Sequence, residues 1–222
     1  IKIFIKVNFV LFFSPLYIFI FLPLCIYLYF IFFKNIFYKK IILLVFSAIF
    51  YSYWNINYLP LIIFSIVINF WISKILNYKN INRKLILWLG IFFNITLLTL
   101  FKYSEFIIEN LNQLFSLNLF YFKFEFPLAI SFFTFQSIVF LINCYDKEII
   151  KVKFTDYSLF IFYFPQLIAG PIVKYTEMIP QFTRIIKFNL KTFNYGLTIF
   201  FIGLIKKIVL ADSLGIYVDE GF

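Results

Sequence analysis

At 222 residues the chain is long enough for one soluble domain, yet 64% of it is apolar and only 14% is charged. Uncharged runs cover 7–33, 41–73, 85–101, 126–145, 157–173 and 192–205, on the scale of the roughly 20 apolar residues a spanning helix needs. The net charge of +10 does not point to nucleic acid, because the lysines cluster between apolar runs, where the positive-inside bias puts them. The fold class is therefore all-α, a polytopic transmembrane helical bundle, with residues 1–222 forming one transmembrane domain and no soluble domain.

Residues 1–9 are a basic lead-in, followed by an apolar run too long for a signal peptide and without a small-residue cleavage site, so a retained first span is predicted. Pro23 predicts a kink in it. Lys34, Lys39 and Lys40 close that span. The run 41–73 is interrupted by Asn55-Ile56-Asn57-Tyr58-Leu59-Pro60, whose turn chemistry predicts a helical hairpin. Lys74, Lys79, Arg83 and Lys84 form the next basic loop, and Leu85–Phe101 a fourth span. Over Ser104–Asn118, Ile107, Leu111, Leu114 and Phe115 share one helical face, which predicts an amphipathic helix in the interface plane. A fifth span is expected over Phe126–Tyr145.

Loops 34–40 and 74–84 carry three and four cations, whereas 102–125 has two across a longer stretch with three glutamates. Alternation then makes the basic loops cytoplasmic and puts the N-terminus outside. The stretch Phe164-Pro165-Gln166-Leu167-Ile168-Ala169-Gly170-Pro171-Ile172 is apolar, but its two prolines, glycine and amide do not suit an ordinary span. Irregular backbone at membrane depth is tolerated only where protein or a water-filled cavity covers it. A broken or re-entrant segment around 157–173, lining an internal cavity, is the expectation. Its re-entry would leave Lys174, Arg184, Lys187 and Lys191 cytoplasmic, with Lys206 and Lys207 capping the last apolar run.

The chain has no histidine. No Ser/His/Asp, Cys/His or metal-ligand set can be assembled, and Cys25 and Cys144 make neither a disulfide framework nor a metal spacing. No catalytic residue and no metal site are therefore assigned.

Leu128-Ala129-Ile130-Ser131-Phe132-Phe133-Thr134-Phe135-Gln136, Tyr145-Asp146, the 164–172 stretch and Gly203-Leu204-Ile205-Lys206-Lys207-Ile208-Val209-Leu210-Ala211-Asp212-Ser213-Leu214 closely resemble the membrane-bound O-acyltransferase family. The bacterial alginate O-acetyltransferase type is the nearest branch. Leu11-Phe12-Phe13-Ser14-Pro15 through Phe21-Leu22-Pro23 resembles the family's opening, which implies that residues 1–9 are an over-extended reading frame and Val10 the start. The likeness covers the family's N-terminal portion. It implies a multi-pass protein of the bacterial cytoplasmic membrane that moves an acyl group, acetyl by branch, from a cytoplasmic thioester donor to a hydroxyl of an extracytoplasmic glycan. The implied co-substrate is acetyl-CoA or an acyl carrier, with no cofactor. The implied partners are the lipid bilayer and a periplasmic or cell-surface glycan-acylating protein, with no nucleic acid.

A neutral alcohol needs a base with a pKa near the working pH, a role that suits histidine. The family's catalytic histidine has no counterpart here, so the chain is expected to be inactive alone. Gln136 and Gln166 lie in apolar segments, where an unpaired amide is costly. They either hold helices together by hydrogen bonds or line the donor–acceptor tunnel. Pro165, Gly170 and Pro171 are candidates for shaping that tunnel, and Lys206 and Lys207 for meeting the donor's phosphates, against a plain role as a positive-inside anchor. Two other classes stay open: a non-catalytic membrane scaffold or acyl conduit, and a transporter with the broken segment as its binding site.

Overall fold

The computed structural model describes residues 12, 14–32, 34–78, 81–115, 127–168 and 170–215, and every regular element among them is helical. Val10 and the rest of the lead-in, Lys79, Lys123 and Ala169 lie outside the described residues.

The first helix opens as a π-helical stretch, Tyr17–Phe21, and continues as α1, Leu22–Ile31. Pro23 has no amide to donate and its ring crowds the carbonyl one turn back. The helix is accordingly widened just ahead of it, with the Leu22 amide reaching the Tyr17 carbonyl. Helix α2, Ile36–Asn55, starts where the Asn35 side chain accepts from the amides of Phe37 and Tyr38, a standard N-cap. It ends at Asn55, whose backbone is extended and whose side chain accepts from the Asn57 amide. A 3-10 turn, Ile56–Tyr58, leads into α3, Leu59–Leu76, with Pro60 in its first turn.

Helix α4, Arg83–Leu98, runs without interruption through a π-helical turn, Thr99–Tyr103, into α5, Ser104–Phe115. The amphipathic helix expected from Ser104 is present as α5, but it continues α4 and does not stand as a separate element. No proline or glycine stands between Leu98 and Ser104 to break the helix, so a widened turn takes up the change of face and the helix goes on. Residues 116–118 of that prediction lie outside the described residues. Helix α6, Ile130–Tyr145, follows a turn in which Ala129 adopts φ 59°. The broken region consists of α7, Phe154–Phe162, a four-residue helix α8, Phe164–Leu167, and α9, Tyr175–Thr183. Helix α10, Leu190–Ile205, continues π-helically through Lys206–Ala211. Lys206 and Lys207 therefore do not end the last helix, because leucine, isoleucine and alanine beyond them extend the helical run.

Side-chain contacts fix the directions. Asn69 of α3 pairs with Asn94 of α4 through two reciprocal amide bonds of 2.7 and 3.2 Å, and Tyr58 meets Phe101, so α3 and α4 are antiparallel. Arg83 donates to the carbonyls of Cys144 and Tyr145 while Lys102 donates to Ser131, so α4 and α6 are antiparallel too. Gly90 permits this close packing: a Cβ there would lie 2.7 Å from a methyl of Leu141 and 3.2 Å from one of Ile72. Lys40, near the start of α2, pairs with Asp156, and Phe70, near the end of α3, meets Tyr157. The α2–α3 pair is thus a hairpin with both open ends at the start of α7. The segments around 39–40, 76, 83, 145, 156 and 184 all gather at one end of the bundle, joined by Lys40–Asp156, Arg83 to the Leu76 carbonyl, Arg83 to α6, and Lys39 to the Arg184 carbonyl. The predicted basic loops share that end.

The core holds Tyr51, Phe133, Phe140, Tyr157 and Phe160, with a second cluster of Tyr17, Phe46, Phe50 and Phe164 beside it. Large apolar side chains such as Phe19, Trp71, Trp88 and Phe92 are exposed. Ile36–Leu76, the hairpin, and Arg83–Phe115 are long and apolar enough to cross a membrane, and their most apolar windows are only 33% and 17% buried. Their hydrocarbon faces outward, a surface that fits a membrane bundle.

Candidate functional site at the helix break

In an unbroken helix the Phe164 amide would donate to the Phe160 carbonyl. Pro165 prevents continuation, since it lacks an amide and its ring would collide with the preceding turn, and the chain opens at Tyr163 with ψ 109°. Buried backbone groups are left without their helical partners, the Phe164 amide and the Phe160 carbonyl among them, and an apolar interior favours new partners for such groups. The Phe164 amide donates to Ser47 Oγ of α2 at 3.1 Å, and that hydroxyl donates onward to the Leu43 carbonyl at 2.8 Å. The Phe160 carbonyl accepts from Gln136 Nε2 of α6 at 2.9 Å. Ser47 and Gln136 are fully buried. The opened helix is thereby splinted from both sides, by α2 through a hydroxyl and by α6 through an amide. Gln136 Oε1 is buried and has no hydrogen-bond partner among the described residues.

Beyond the break the chain passes α8, leaves helical structure, and turns back. Gln166 Nε2 donates to the Pro171 carbonyl at 3.3 Å, closing the loop locally. Gly170 sits against the stem of Gln166, where a Cβ would come within 3.2 Å of Cγ. Helix α9 then packs under α6 and α7, the Tyr175 ring lying 5.3 Å from Phe140 and 5.4 Å from Phe160. The Arg184 carbonyl accepts from Lys39 Nζ at 3.4 Å. Helix α2 therefore holds this segment at three points: its start through Lys40–Asp156 at 2.5 Å, its break through Ser47, and its return through Lys39. From Lys40 to Ser47 is two turns of helix, about 10 Å. The segment goes about that far into the bundle and comes back to the same end.

Of the predicted site residues, Gln166, Gly170 and Pro171 share the loop beyond the break, with Pro165 at its start, and they are partly or fully exposed. Gln136 stands apart from them in the core and reaches the segment only on its inner side. Lys206 and Lys207 are exposed on the continuation of α10, and Lys207 pairs with Asp212 of the same helix. Sequence reasoning missed Ser47, Lys39, Lys40 and Asp156. An intramembrane serine carries little signal, and Lys40 and Asp156 stand 116 residues apart. The lysines at the start of α2 read as loop anchors, yet Lys39 is fully buried over the Tyr29 ring and Lys40 is 5% exposed. An apolar groove of about 1040 Å³ lies elsewhere, between α1 and α10. Among the described residues no three His, Cys, Asp or Glu side chains group as metal ligands.

A helical bundle with an outward apolar surface and one helix opened around internal polar contacts fits the class of membrane helical bundles. Comparison with known proteins narrows this. The chain is 38% identical over 98% of its length to a peptidoglycan O-acetyltransferase of Helicobacter pylori. It is also 32% identical over 94% of its length to a probable alginate O-acetylase AlgI of Pseudomonas putida, and 30% identical over the same share to one of Pseudomonas aeruginosa. The resemblance to the bacterial membrane-bound O-acyltransferases therefore holds along nearly the whole chain. The chain spans less than half the length of these relatives, 47%, 44% and 41% respectively. No family model and no solved structure matches it.

Proposed function

We propose that this chain forms part of a multi-pass membrane O-acetyltransferase of the bacterial cytoplasmic membrane. It acts between a cytoplasmic acetyl thioester and a hydroxyl of an extracytoplasmic glycan, together with a glycan-acylating partner. The observation that carries this reading is the similarity of 94–98% of the chain to enzymes named for glycan O-acetylation. The opened helix at Tyr163–Pro165 supports it, because a re-entrant segment splinted by Ser47 and Gln136 is a means of walling a compartment inside the bilayer. In this reading Pro165, Gly170 and Pro171 shape the wall and Gln136 and Gln166 supply its polar groups; Lys206 and Lys207 lie about 24 Å along α10 from its basic start, so the role at a cytoplasmic donor's phosphates expected for them is not part of this reading. The segments gathered at the basic end face the cytoplasm, as their cations require.

Acyl transfer to an alcohol also needs a proton acceptor, and this sequence holds no histidine to serve. The purified 222-residue chain should therefore transfer no labelled acetyl group from acetyl-CoA to a glycan; measurable transfer contradicts this. The larger claim is tested by exchanging the chain for the matching part of the Helicobacter pylori relative. Retained peptidoglycan O-acetylation is the expected result. Its loss, in a chimera that still fractionates with membranes, contradicts the proposal.

A further inference from the structure

The groove between α1 and α10 is a site that the acyl-transfer reading does not use. One wall is α1, with Leu22, Ile26 and Phe30; the other is formed by the lead-in to α10 and its first three turns. Phe30 meets Phe188 at 5.3 Å, so the end of α1 faces the start of α10 and the two walls run antiparallel. The lining is graded along this axis. Lys187, Asn189, Thr192 and Tyr27 are its polar members and all lie toward the Phe30–Phe188 end, while the remainder, through Phe200 and Phe201, is aliphatic or phenylalanine apart from Gly196. That polar end is also the basic end of the bundle, because the backbone carbonyl of Arg184, three residues before Lys187, accepts from Lys39 Nζ.

The groove is long enough to hold a tail through one leaflet. The α1 wall runs from Ile18 to Ile31, about 20 Å of helix, against about 15 Å for half of a hydrocarbon core of about 30 Å. Basic side chains at the cytoplasmic surface attract anionic headgroups, and a lysine can keep its ammonium there while its stem lies along apolar surface.

We propose that this groove binds an anionic glycerophospholipid of the leaflet at the basic end, its phosphate at Lys187 and an acyl tail along α1 toward Phe201. The inference rests on the membrane reading and not on acetyl transfer, so either can fail without the other.

The test uses the full 222-residue chain in nanodiscs of mixed phosphatidylglycerol and phosphatidylcholine, with the lipid retained after extraction read by native mass spectrometry. Wild-type protein should keep phosphatidylglycerol in preference. Lys187→Gln should lower that preference about fivefold, the effect of one basic residue at headgroup level. Gly196→Leu should expel lipid of both kinds, since Gly196 has nothing within 4 Å of an added Cβ and a larger side chain would occupy the trough. Equal retention of the two lipids by wild-type protein overturns the proposal. So does indifference to both substitutions in variants that still enter nanodiscs, or a lipid-free dimer or a bound polypeptide occupying this face.

Discussion

The two halves of the opened segment are built differently. Before the break, α7 is buried, with Asp156 paired to Lys40, the Phe160 carbonyl taken by Gln136, and the Phe164 amide taken by Ser47. After it, Gly170, Pro171, Ile172 and Lys174 are exposed, and the return is held by a short-range bond from Gln166 to the Pro171 carbonyl. The first half owes its shape to other helices, and the second to its own prolines and glycine. Two glutamines that look alike in sequence therefore do unlike work. Gln136 ties helices together, whereas Gln166 folds a loop.

Substitutions before the break should therefore cost far more than substitutions after it. Lys40→Ala, which strands Asp156 in the interior, should have the largest effect, about 3–5 kcal/mol of unfolding free energy measured in detergent. Replacing both partners, K40M/D156L, should recover most of that loss, because the penalty comes from an uncompensated charge and not from the missing attraction. Ser47→Ala should come next at about 1–3 kcal/mol, the cost of a buried amide left without an acceptor. Gln136→Leu belongs at about 1 kcal/mol, toward the low end of the same range, since it strands the Phe160 carbonyl but also removes the unpartnered Oε1. Gln166→Ala should cost about 0.5 kcal/mol or less, as expected of an exposed polar contact. If Gln166→Ala proves as damaging as Ser47→Ala, the contrast between the halves is lost.

These contrasts also separate what was legible in the sequence from what was not. The break at Pro165 and the turn at Asn55–Pro60 are local chemistry, a missing amide or a side chain capping its own backbone, and a single sequence displays them. Gln136 announced itself as an amide in an apolar run, although its partner, a backbone carbonyl exposed only because another helix opens, could not be named. Ser47 and Asp156 gave no such sign. Each acquires its role from a residue more than a hundred positions away, and α2 had to be laid beside α7 before either mattered. The continuous rod from α4 into α5 went unseen for the opposite reason. The change of amphipathic face near residue 104 looks like a new element, but a π turn rotates the face without breaking the helix.

The central claim is that the chain enters at Asp156, opens at Tyr163 and returns to the same side by Arg184. Single cysteines in place of Lys151 and Lys187, both exposed and flanking the segment, test it by labelling with an impermeant thiol reagent in sealed vesicles of known orientation. The native Cys25 and Cys144 are buried and should contribute little background. Both engineered positions should react from the cytoplasmic face alone; labelling of the two from opposite faces would show that 157–173 crosses the membrane and would contradict the re-entrant architecture.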